Sequence, residues 1–327
     1  MHYHILINPV GASGKTKVFF EEKIRPRFDA SGHTYTVHYS AIDRKFDKIV
    51  EEILRDAKEP QNIVVIGGDG TFNDAINGIT DFFLARFAFI PSGSANDLAK
   101  DLGILGQTDQ LLERVFEGKV RRVMDIGMLV YHNQTAHLNV RKKTVEPADL
   151  REDIVRYFNN GASVGFDAEI CEKVEISKAK GALNKIGLGK LVYLYHAIGL
   201  IFTAKRTAIT MEFDDGRIRK IPNCLFAVGM NHRYEGGGFM FGPNAKDDDG
   251  MLDFTIAAPK HNAAFFRGFP LAYNGNHFRL EGVDEEIAKE VRIRLEKPMW
   301  VQTDGEISAM SSDVTIKVLP KVLQLLI

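Results

Sequence analysis

Gly67-Gly68-Asp69-Gly70-Thr71 stands where a β-branched apolar run ends and a helical periodicity begins. Glycines at such a junction let the backbone approach a ligand and adopt positive φ. The helix start that follows offers unpaired N–H groups and a partial positive charge, which suits phosphate. A carboxylate at Asp69 would repel phosphate, and a divalent cation resolves that conflict, so the segment suits a Mg²⁺–nucleotide complex. On spacing alone it reads equally well as a strand–helix turn with Asp69 as the helix cap. Two look-alikes are excluded. Gly11-Ala12-Ser13-Gly14-Lys15-Thr16 lacks the first glycine of a P-loop, whose place is taken by Pro9. Gly68-Asp69-Gly70 lacks the third glycine of a dinucleotide fingerprint, whose place is taken by Asn73.

A second group of carboxylates lies far downstream. Asp304-Gly305-Glu306 follows the run Trp300-Val301-Gln302-Thr303, and Asp-Gly after such a run is a strong hairpin signal. Taken alone, it is a turn. Asp247-Asp248-Asp249-Gly250 lacks the alternating ligands and distal Glu of an EF-hand loop and reads as a solvated acidic turn. Three adjacent carboxylates repel, however, and one bound cation would relieve them. Cys171 and Cys224 are too few for a disulfide scaffold or a four-ligand zinc site, and read as buried thiols of a reducing compartment.

The elements that must position these groups change character along the chain. Residues 4–7, 62–66 and 87–90 are short apolar runs closed by Asn8-Pro9, Gly67-Gly68 and Pro91-Ser92-Gly93. Phe72, Ala75, Ile76 and Ile79, and then Ala95, Leu98, Ala99 and Leu102, fall at helical spacing. This alternation predicts an α/β domain with a parallel sheet and flanking helices, whose ligands sit beyond the carboxyl ends of the strands. Beyond it, strands are predicted at 123–131, 207–213, 217–221, 224–230, 252–257, 291–295 and 299–303, with a hairpin turn at 213–217. Helices are predicted over 170–203 and 260–272. The second domain is therefore expected to be a β-sandwich with a helical insertion. The expected domains are 1–122 and 123–307, with 308–327, apolar at 314–318 and 322–327, returning to the first.

Composition fits this division. A chain of 327 residues suits two domains, and 45% hydrophobic with 26% charged residues excludes disorder and fibres. A net charge of −1 excludes global attraction to nucleic acid. The first eleven residues lack a signal-peptide pattern, and the longest strongly apolar stretch, 191–202, has 12 residues. A bilayer span needs about 20, so a soluble or peripheral protein is expected.

Three turns together are specific where each alone is not. Asn8-Pro9-Val10-Gly11-Ala12-Ser13-Gly14-Lys15, Gly67-Gly68-Asp69-Gly70-Thr71-Phe72-Asn73 and Pro91-Ser92-Gly93-Ser94-Ala95-Asn96-Asp97-Leu98-Ala99 resemble the diacylglycerol kinase catalytic domain family, which includes bacterial lipid kinases and the sphingosine kinases. The resemblance continues through Val123-Met124-Asp125, Phe158-Asn159-Asn160-Gly161, Gly165-Phe166-Asp167-Ala168, Pro243-Asn244-Ala245, Asp248-Asp249-Gly250 and Asp304-Gly305-Glu306. The glycine-rich segment alone also looks like NAD kinases and phosphofructokinases. The resemblance implies a two-domain kinase with ATP in a cleft. It carries nucleotide contacts to Asn8, Gly11, Ser13, Gly14, Lys15, Ser40, Gly67, Gly68, Asp69, Gly70, Thr71, Asn73 and Ser94. Ser40 and Ser94 stand where the family more often has Thr, and both keep the hydroxyl. It carries an acidic network to Asp69, Asp97, Asp125, Asp304 and Glu306, with the base for a substrate hydroxyl in Asp304-Gly305-Glu306. Either carboxylate could take the proton, and Asp304 is favoured because a turn carboxylate can project from the hairpin. A structural Mg²⁺ is implied at Asp249 with the backbone oxygens of Lys246 and Met251.

Residues 176–211 contain no Asp or Glu but carry Lys178, Lys180, Lys185, Lys190, Lys205 and Arg206 among leucines. Such a segment can lie on an anionic membrane surface, or be an amphipathic helix with solvated lysines. Nucleic acid is a weaker partner, since no aromatic platform accompanies the charge. The expected protein is a cytoplasmic, peripherally membrane-associated kinase using ATP and Mg²⁺, with diacylglycerol or a related lipid alcohol as acceptor. A kinase of a soluble acceptor and a non-catalytic nucleotide-binding regulator are the alternatives. A homodimer stays open.

Overall fold

The computed structural model describes residues 1–41, 45–93, 95–139, 142–177, 196, 198–201, 203–262 and 268–327. The chain forms two compact units, Met1–Ile126 with Pro320–Ile327, and Gly127–Leu319.

The first unit runs through β1 (His2–Ile7), α1 (Lys15–Phe19), α2 (Arg25–Ala30), β2 (Thr34–Tyr39), α3 (Phe46–Arg55), β3 (Gln61–Gly67), α4 (Asp69–Ile76), β4 (Ala85–Pro91), α5 (Asp97–Asp101) and α6 (Thr108–Glu117). β1 to β4 form a parallel sheet in the order β2-β1-β3-β4, and Gln324 and Leu325 add a parallel partner beside Arg86 and Phe87. Ile5, Ile7, Ile63, Val65, Phe87 and Phe89 are fully buried, as are their alternating neighbours Leu6, Val64, Ile66, Ala88 and Ile90. Burial of successive residues is what a parallel sheet covered on both faces requires. In α3, Phe46, Ile49, Val50 and Leu54 are the buried stripe of an otherwise charged helix.

Parallel pairing brings the strand ends into line. Ile7 lies opposite both Tyr39 and Ile66, and Gly67 lies opposite Pro91. The turns that follow these strands therefore share one edge of the sheet.

β5 (Arg122–Tyr131) leads into the second unit, which continues with β6 (Gln134–Asn139), β7 (Thr144–Leu150), β8 (Ile154–Phe158), β9 (Gly161–Gly165), α7 (Phe166–Ile176), β10 (Thr207–Phe213), β11 (Ile218–Cys224), β12 (Phe226–Met230), β13 (Leu252–Ala257), α8 (Gly268–Tyr273), β14 (Val283–Ala288), β15 (Glu290–Thr303) and β16 (Glu306–Leu325). Antiparallel neighbours run β14-β13-β12-β9-β15, with β10 and β11 beyond β15 on another path. Alternate residues of β12 serve two cores: Ala227 joins Phe158, Phe254 and Ile316, whereas Phe226, Val228 and Met230 join Phe166 and Val174. The α/β domain and β-sandwich expected from sequence are both present.

Several local expectations are corrected. The runs 291–295 and 299–303 are one strand, because a register shift between Arg294 and Met299 carries the chain past Pro298 without ending the pairing. Likewise 314–318 and 322–325 belong to one long strand, β16, which ends at Leu325. Within the stretch predicted helical over 170–203, α7 starts earlier, at Phe166, and ends at Ile176 where Ser177 turns extended with ψ 134°, and residues 196 and 198–200 are helical again. Most of the rest of that stretch, including Lys178, Lys180, Lys185 and Lys190, lies outside the described residues. The hairpin at 213–217 forms as expected, with Gly216 N–H donating to the Phe213 carbonyl.

Candidate active site

At the carboxyl edge of the parallel sheet, each turn is held by short-range geometry. Asn8 closes β1: its side-chain oxygen accepts the Val10 N–H at 3.1 Å and its carbonyl accepts the Gly11 N–H at 3.0 Å. Gly11 and Ser13 lie in the short 3₁₀ turn that follows, and Gly14, at φ 88°, opens α1 at Lys15. Ser40 sits beside this turn, its N–H donating to the Ile7 carbonyl. Gly67 covers the Thr71 side chain, and Gly68 precedes α4, whose first turn holds Asp69, Gly70 and Thr71. Asn73 is fully buried in α4 and accepts from the Asn77 side chain.

The turn after β3 and the turn after β4 are joined by backbone contact. Ser92 N–H donates to the Gly67 carbonyl at 2.7 Å. A Cβ on Gly93 would lie 2.5 Å from the Gly68 Cα, and one on Gly68 would lie 3.2 Å from the Gly93 Cα. Gly93 has no room for a side chain, and even a methyl on Gly68 would crowd the facing turn, so the close approach rests on glycine. Thr16, buried, reaches Ser92 through their hydroxyls at 3.1 Å. Both residues stand in motifs read from the sequence, but neither was given a role there. Ser94 lies outside the described residues.

The acidic residues of this unit have structural partners. Asp69 does not cap its own helix. Its carboxylate accepts the backbone N–H groups of Asp97 at 2.7 Å and Leu98 at 3.3 Å, so it caps α5, whose own N-cap residue, Asn96, is left-handed and gives no side-chain cap. Asp97 is buried behind that cap. Asp125 is fully buried on β5 and accepts the Lys321 N–H at 2.7 Å, fastening the returning segment.

In the second unit, Asp304 and Gly305 form a two-residue hairpin between β15 and β16. Both have positive φ, 50° and 78°, and Thr303 pairs with Glu306 across the turn. This is the geometry of a type I′ turn, which Asp-Gly favours. The Asp304 carboxylate is turned onto the chain between β8 and β9. It accepts the backbone N–H groups of Asn159 at 2.8 Å, Asn160 at 2.8 Å and Gly161 at 3.1 Å. Both its oxygens are thus oriented by main-chain donors. Glu306 faces Arg156 at 3.8 Å and keeps about a third of its side chain exposed, at 35%.

Beneath this hairpin lies a polar group that sequence reasoning missed. The Gln302 carboxamide is fully buried, with Nε2 2.8 Å from Asp167, 2.8 Å from Glu235 and 3.0 Å from the Ser163 hydroxyl. Its oxygen accepts the Gly305 N–H at 2.7 Å. Asp167 is half-buried by area, yet enclosure by protein atoms raises its carboxyl above the ordinary range. Only long-range pairing of β9 with β15, Ser163 opposite Gln302, brings these residues together, and no local signal marks it.

The residues suggested for a structural metal fall on an exposed turn. Asp249 accepts the Met251 N–H at 3.0 Å, and Lys246 is exposed nearby. Asp253, on the next strand, is pushed up to about 6 by burial and by the charges of Glu285 and Asp249. Among the described residues, no three His, Cys, Asp or Glu side chains cluster as a metal site. Arg206 is half-buried, and its guanidinium donates to Asn262 at 2.6 Å and to the Pro259 carbonyl. Cys171 and Cys224 are both buried free thiols, and burial pushes Cys224 up to about 12. No described helix is long and apolar enough to cross a membrane.

Comparison with known proteins bears on the whole chain. Residues 2–129 match the family model of the diacylglycerol kinase catalytic domain, and residues 160–327 match that of the YegS C-terminal NAD kinase beta sandwich-like domain. A diacylglycerol kinase of Bacillus subtilis is 24% identical over 309 residues, covering 94% of this chain and 90% of the relative. The crystal structure of a diacylglycerol kinase from Bacillus anthracis is similar in fold at 18% identity and TM-score 0.66, over 99% of this chain and 96% of that one. An NAD kinase from Archaeoglobus fulgidus, solved with ATP, is similar in fold at 12% identity and TM-score 0.51, over 100% of this chain and 94% of that one.

Proposed function

From a chain that belongs to the diacylglycerol kinase catalytic domain family, we propose a lipid kinase: it transfers the γ-phosphoryl group of ATP to a lipid hydroxyl, with diacylglycerol giving phosphatidic acid. The observation that carries this reading is the shared edge of the parallel sheet. There Asn8, Ser40, Gly68 and Gly93 follow four aligned strands, and the glycine contact keeps side chains out of the space a phosphate chain needs. The start of α4 brings the positive end of a helix to this edge, with Gly70 in its first turn, and that suits phosphate oxygens. Lys15, exposed at the start of α1 in the turn after β1, adds a cation to the same sheet edge. Asp69 and Asp97 hold the two turns in register through the cap on α5.

Phosphoryl transfer to an alcohol needs a proton acceptor and a fixed geometry more than covalent chemistry from the protein. The Asp304-Gly305-Glu306 hairpin supplies two carboxylates. Asp304 is oriented by three main-chain donors, and Glu306 is steered by Arg156. One of them accepts the hydroxyl proton as the lipid oxygen attacks phosphorus. Mg²⁺ would offset phosphate charge during transfer. A second Mg²⁺ would take the hard oxygen donors of Asp249 and the backbone of Lys246 and Met251, where it would relieve the carboxylate repulsion that adds to burial in raising Asp253. The acceptor is taken to be met at an anionic membrane surface, since residues 176–211 are basic and apolar.

A soluble acceptor is the second reading, favoured by the fold shared with an NAD kinase. Purified protein, γ-labelled ATP and Mg²⁺ should be offered diacylglycerol, other lipid alcohols in mixed micelles, and NAD. Label in the lipid fraction supports the proposal. Label in NAD alone, or ATP binding without transfer to any acceptor, defeats it.

A further inference from the structure

Gln302 is buried where an apolar side chain would serve a hairpin better. A leucine would fill similar volume without desolvating two carboxyls, and buried charged groups are costly unless their geometry is well satisfied. The carboxamide instead spans two separate features of the second unit. Its nitrogen, with two hydrogens, meets three acceptors: Asp167, Glu235 and the Ser163 hydroxyl, which itself donates to Asp167 at 2.7 Å. Its oxygen takes the N–H of Gly305, inside the catalytic hairpin. Beside this residue the ladder shifts register: Val301 faces Ala309 and Gln302 faces Ile307, so the extra residue, Ser308, lies on the partner strand β16 and the pairing is irregular next to the carboxamide.

The contacts close on themselves. Asp304 is held by the N–H groups of residues 159–161, and its own N–H donates to the Gly161 carbonyl at 2.9 Å. Gly161 in turn lies on Glu235, since a Cβ there would come within 2.9 Å of that carboxyl. Glu235 is bound to Gln302. The hairpin is therefore tied from both sides to one carboxamide.

We propose that Gln302 is a positioning residue for phosphoryl transfer, a strut between the Asp167–Glu235 pair and the Asp304-Gly305-Glu306 hairpin. This rests on the reading of that hairpin as the source of the proton acceptor. Gln302 touches neither reactant. It fixes the turn on which the carboxylates stand, and displacement of a catalytic group by about 1 Å can cost on the order of 10²-fold in rate.

Four proteins test this: wild type, Gln302→Leu, Gln302→Glu, and Gln302→Glu combined with Asp167→Asn. Two readouts are taken, kcat and ATP KM for lipid phosphorylation, and amide hydrogen exchange over residues 303–307. Gln302→Leu should lower kcat by about ten-fold or more, leave ATP KM within about two-fold, and speed exchange in the hairpin. Gln302→Glu places a third carboxyl against two others and should be worse. Adding Asp167→Asn reverses donor and acceptor across the same 2.8 Å contact and should recover part of kcat and of the exchange protection. The last two variants conserve volume, so their comparison stands even if Gln302→Leu does not fold. Wild-type kcat and exchange in Gln302→Leu, or a double variant no better than Gln302→Glu, would overturn the proposal. If the wild type phosphorylates no lipid, the functional reading fails, and the exchange series still decides whether Gln302 holds the turn.

Discussion

The two units shape their functional turns by opposite means. In the α/β unit, geometry comes from missing side chains: Gly68 and Gly93 meet through their Cα atoms, and Gly67 leaves space for Thr71. In the β-rich unit it comes from polar side chains: Gln302, Asp167, Glu235 and Ser163 underpin a hairpin whose Asp304 grips three main-chain N–H groups. On the proposed reading, the first arrangement makes room for a charged ligand. The second gives two carboxylates fixed directions. The proposed kinase needs both, and the difference shows which substitutions each turn tolerates. Added bulk should harm the first, and lost hydrogen bonds the second.

The contrast is broken most sharply at Gly93. Gly93→Ala places a methyl 2.5 Å from the Gly68 Cα and 2.8 Å from the Asn96 side-chain oxygen, so the two turns must part. ATP binding by calorimetry should be lost, with stability lowered by about 1–3 kcal/mol in denaturant titrations. Normal affinity would show that the glycine contact does not shape the nucleotide site.

Asp69 is where the glycine-built unit relies on a carboxylate. Asp69→Asn keeps one acceptor for the N–H groups of Asp97 and Leu98 and turns the other into a donor. The expected loss is about 1–2 kcal/mol, the range for helix caps, with a weaker Mg²⁺-dependent gain in ATP affinity. Unchanged stability together with an unchanged Mg²⁺ effect would remove Asp69 from both roles.

A smaller, pH-dependent effect probes the second unit. Asp253, at about 6, holds its proton in the folded state where the unfolded chain has lost it. Between about pH 4 and 6 the unfolded state therefore binds fewer protons, so stability falls as pH rises and stays lower above. Asp253→Asn should flatten that slope and raise Tm at pH 7 by the equivalent of about 2 kcal/mol or less. In the wild type, added Mg²⁺ should recover part of the same loss. A wild-type curve that is flat over this range would contradict the raising of Asp253 by burial and by the charges of Glu285 and Asp249.

The same contrast explains what the sequence made legible. Glycine-rich turns after apolar runs are local signals, so β1, β3 and β4 and the turns at Asn8, Gly67 and Pro91 could be placed from residue type and spacing. The type I′ turn at Asp304-Gly305 was equally readable. β2 (Thr-Tyr-Thr-Val-His-Tyr) and β7 were not, because as half-exposed edge strands they carry too few apolar residues to stand out. β9 (Gly-Ala-Ser-Val-Gly) escaped for the opposite reason: crowding by Met230 and Glu235 demands small residues, which lack strand propensity. The Gln302 group needs a pairing across some 140 residues, and no periodicity encodes that. The roles assigned to Asp69 and Asp304 came from family resemblance, whereas their hydrogen-bond partners came from the structure.

The central claim is most directly tested by the rate of γ-phosphoryl transfer to diacylglycerol in Asp304→Asn and Glu306→Gln. Asparagine suits the turn but turns one acceptor toward the N–H groups of residues 159–161 into a donor, so unfolding midpoints and ATP affinity must be measured beside the rate. Glu306→Gln leaves those contacts intact. Asp304→Asn is expected to lower kcat by at least about 10²-fold, the scale for losing a general base, with ATP affinity within a few-fold of wild type. A severe loss in Glu306→Gln alone would make Glu306 the base and Asp304 the residue that holds the turn. Wild-type turnover in both variants would make the Asp304-Gly305-Glu306 segment an ordinary hairpin and contradict the mechanism.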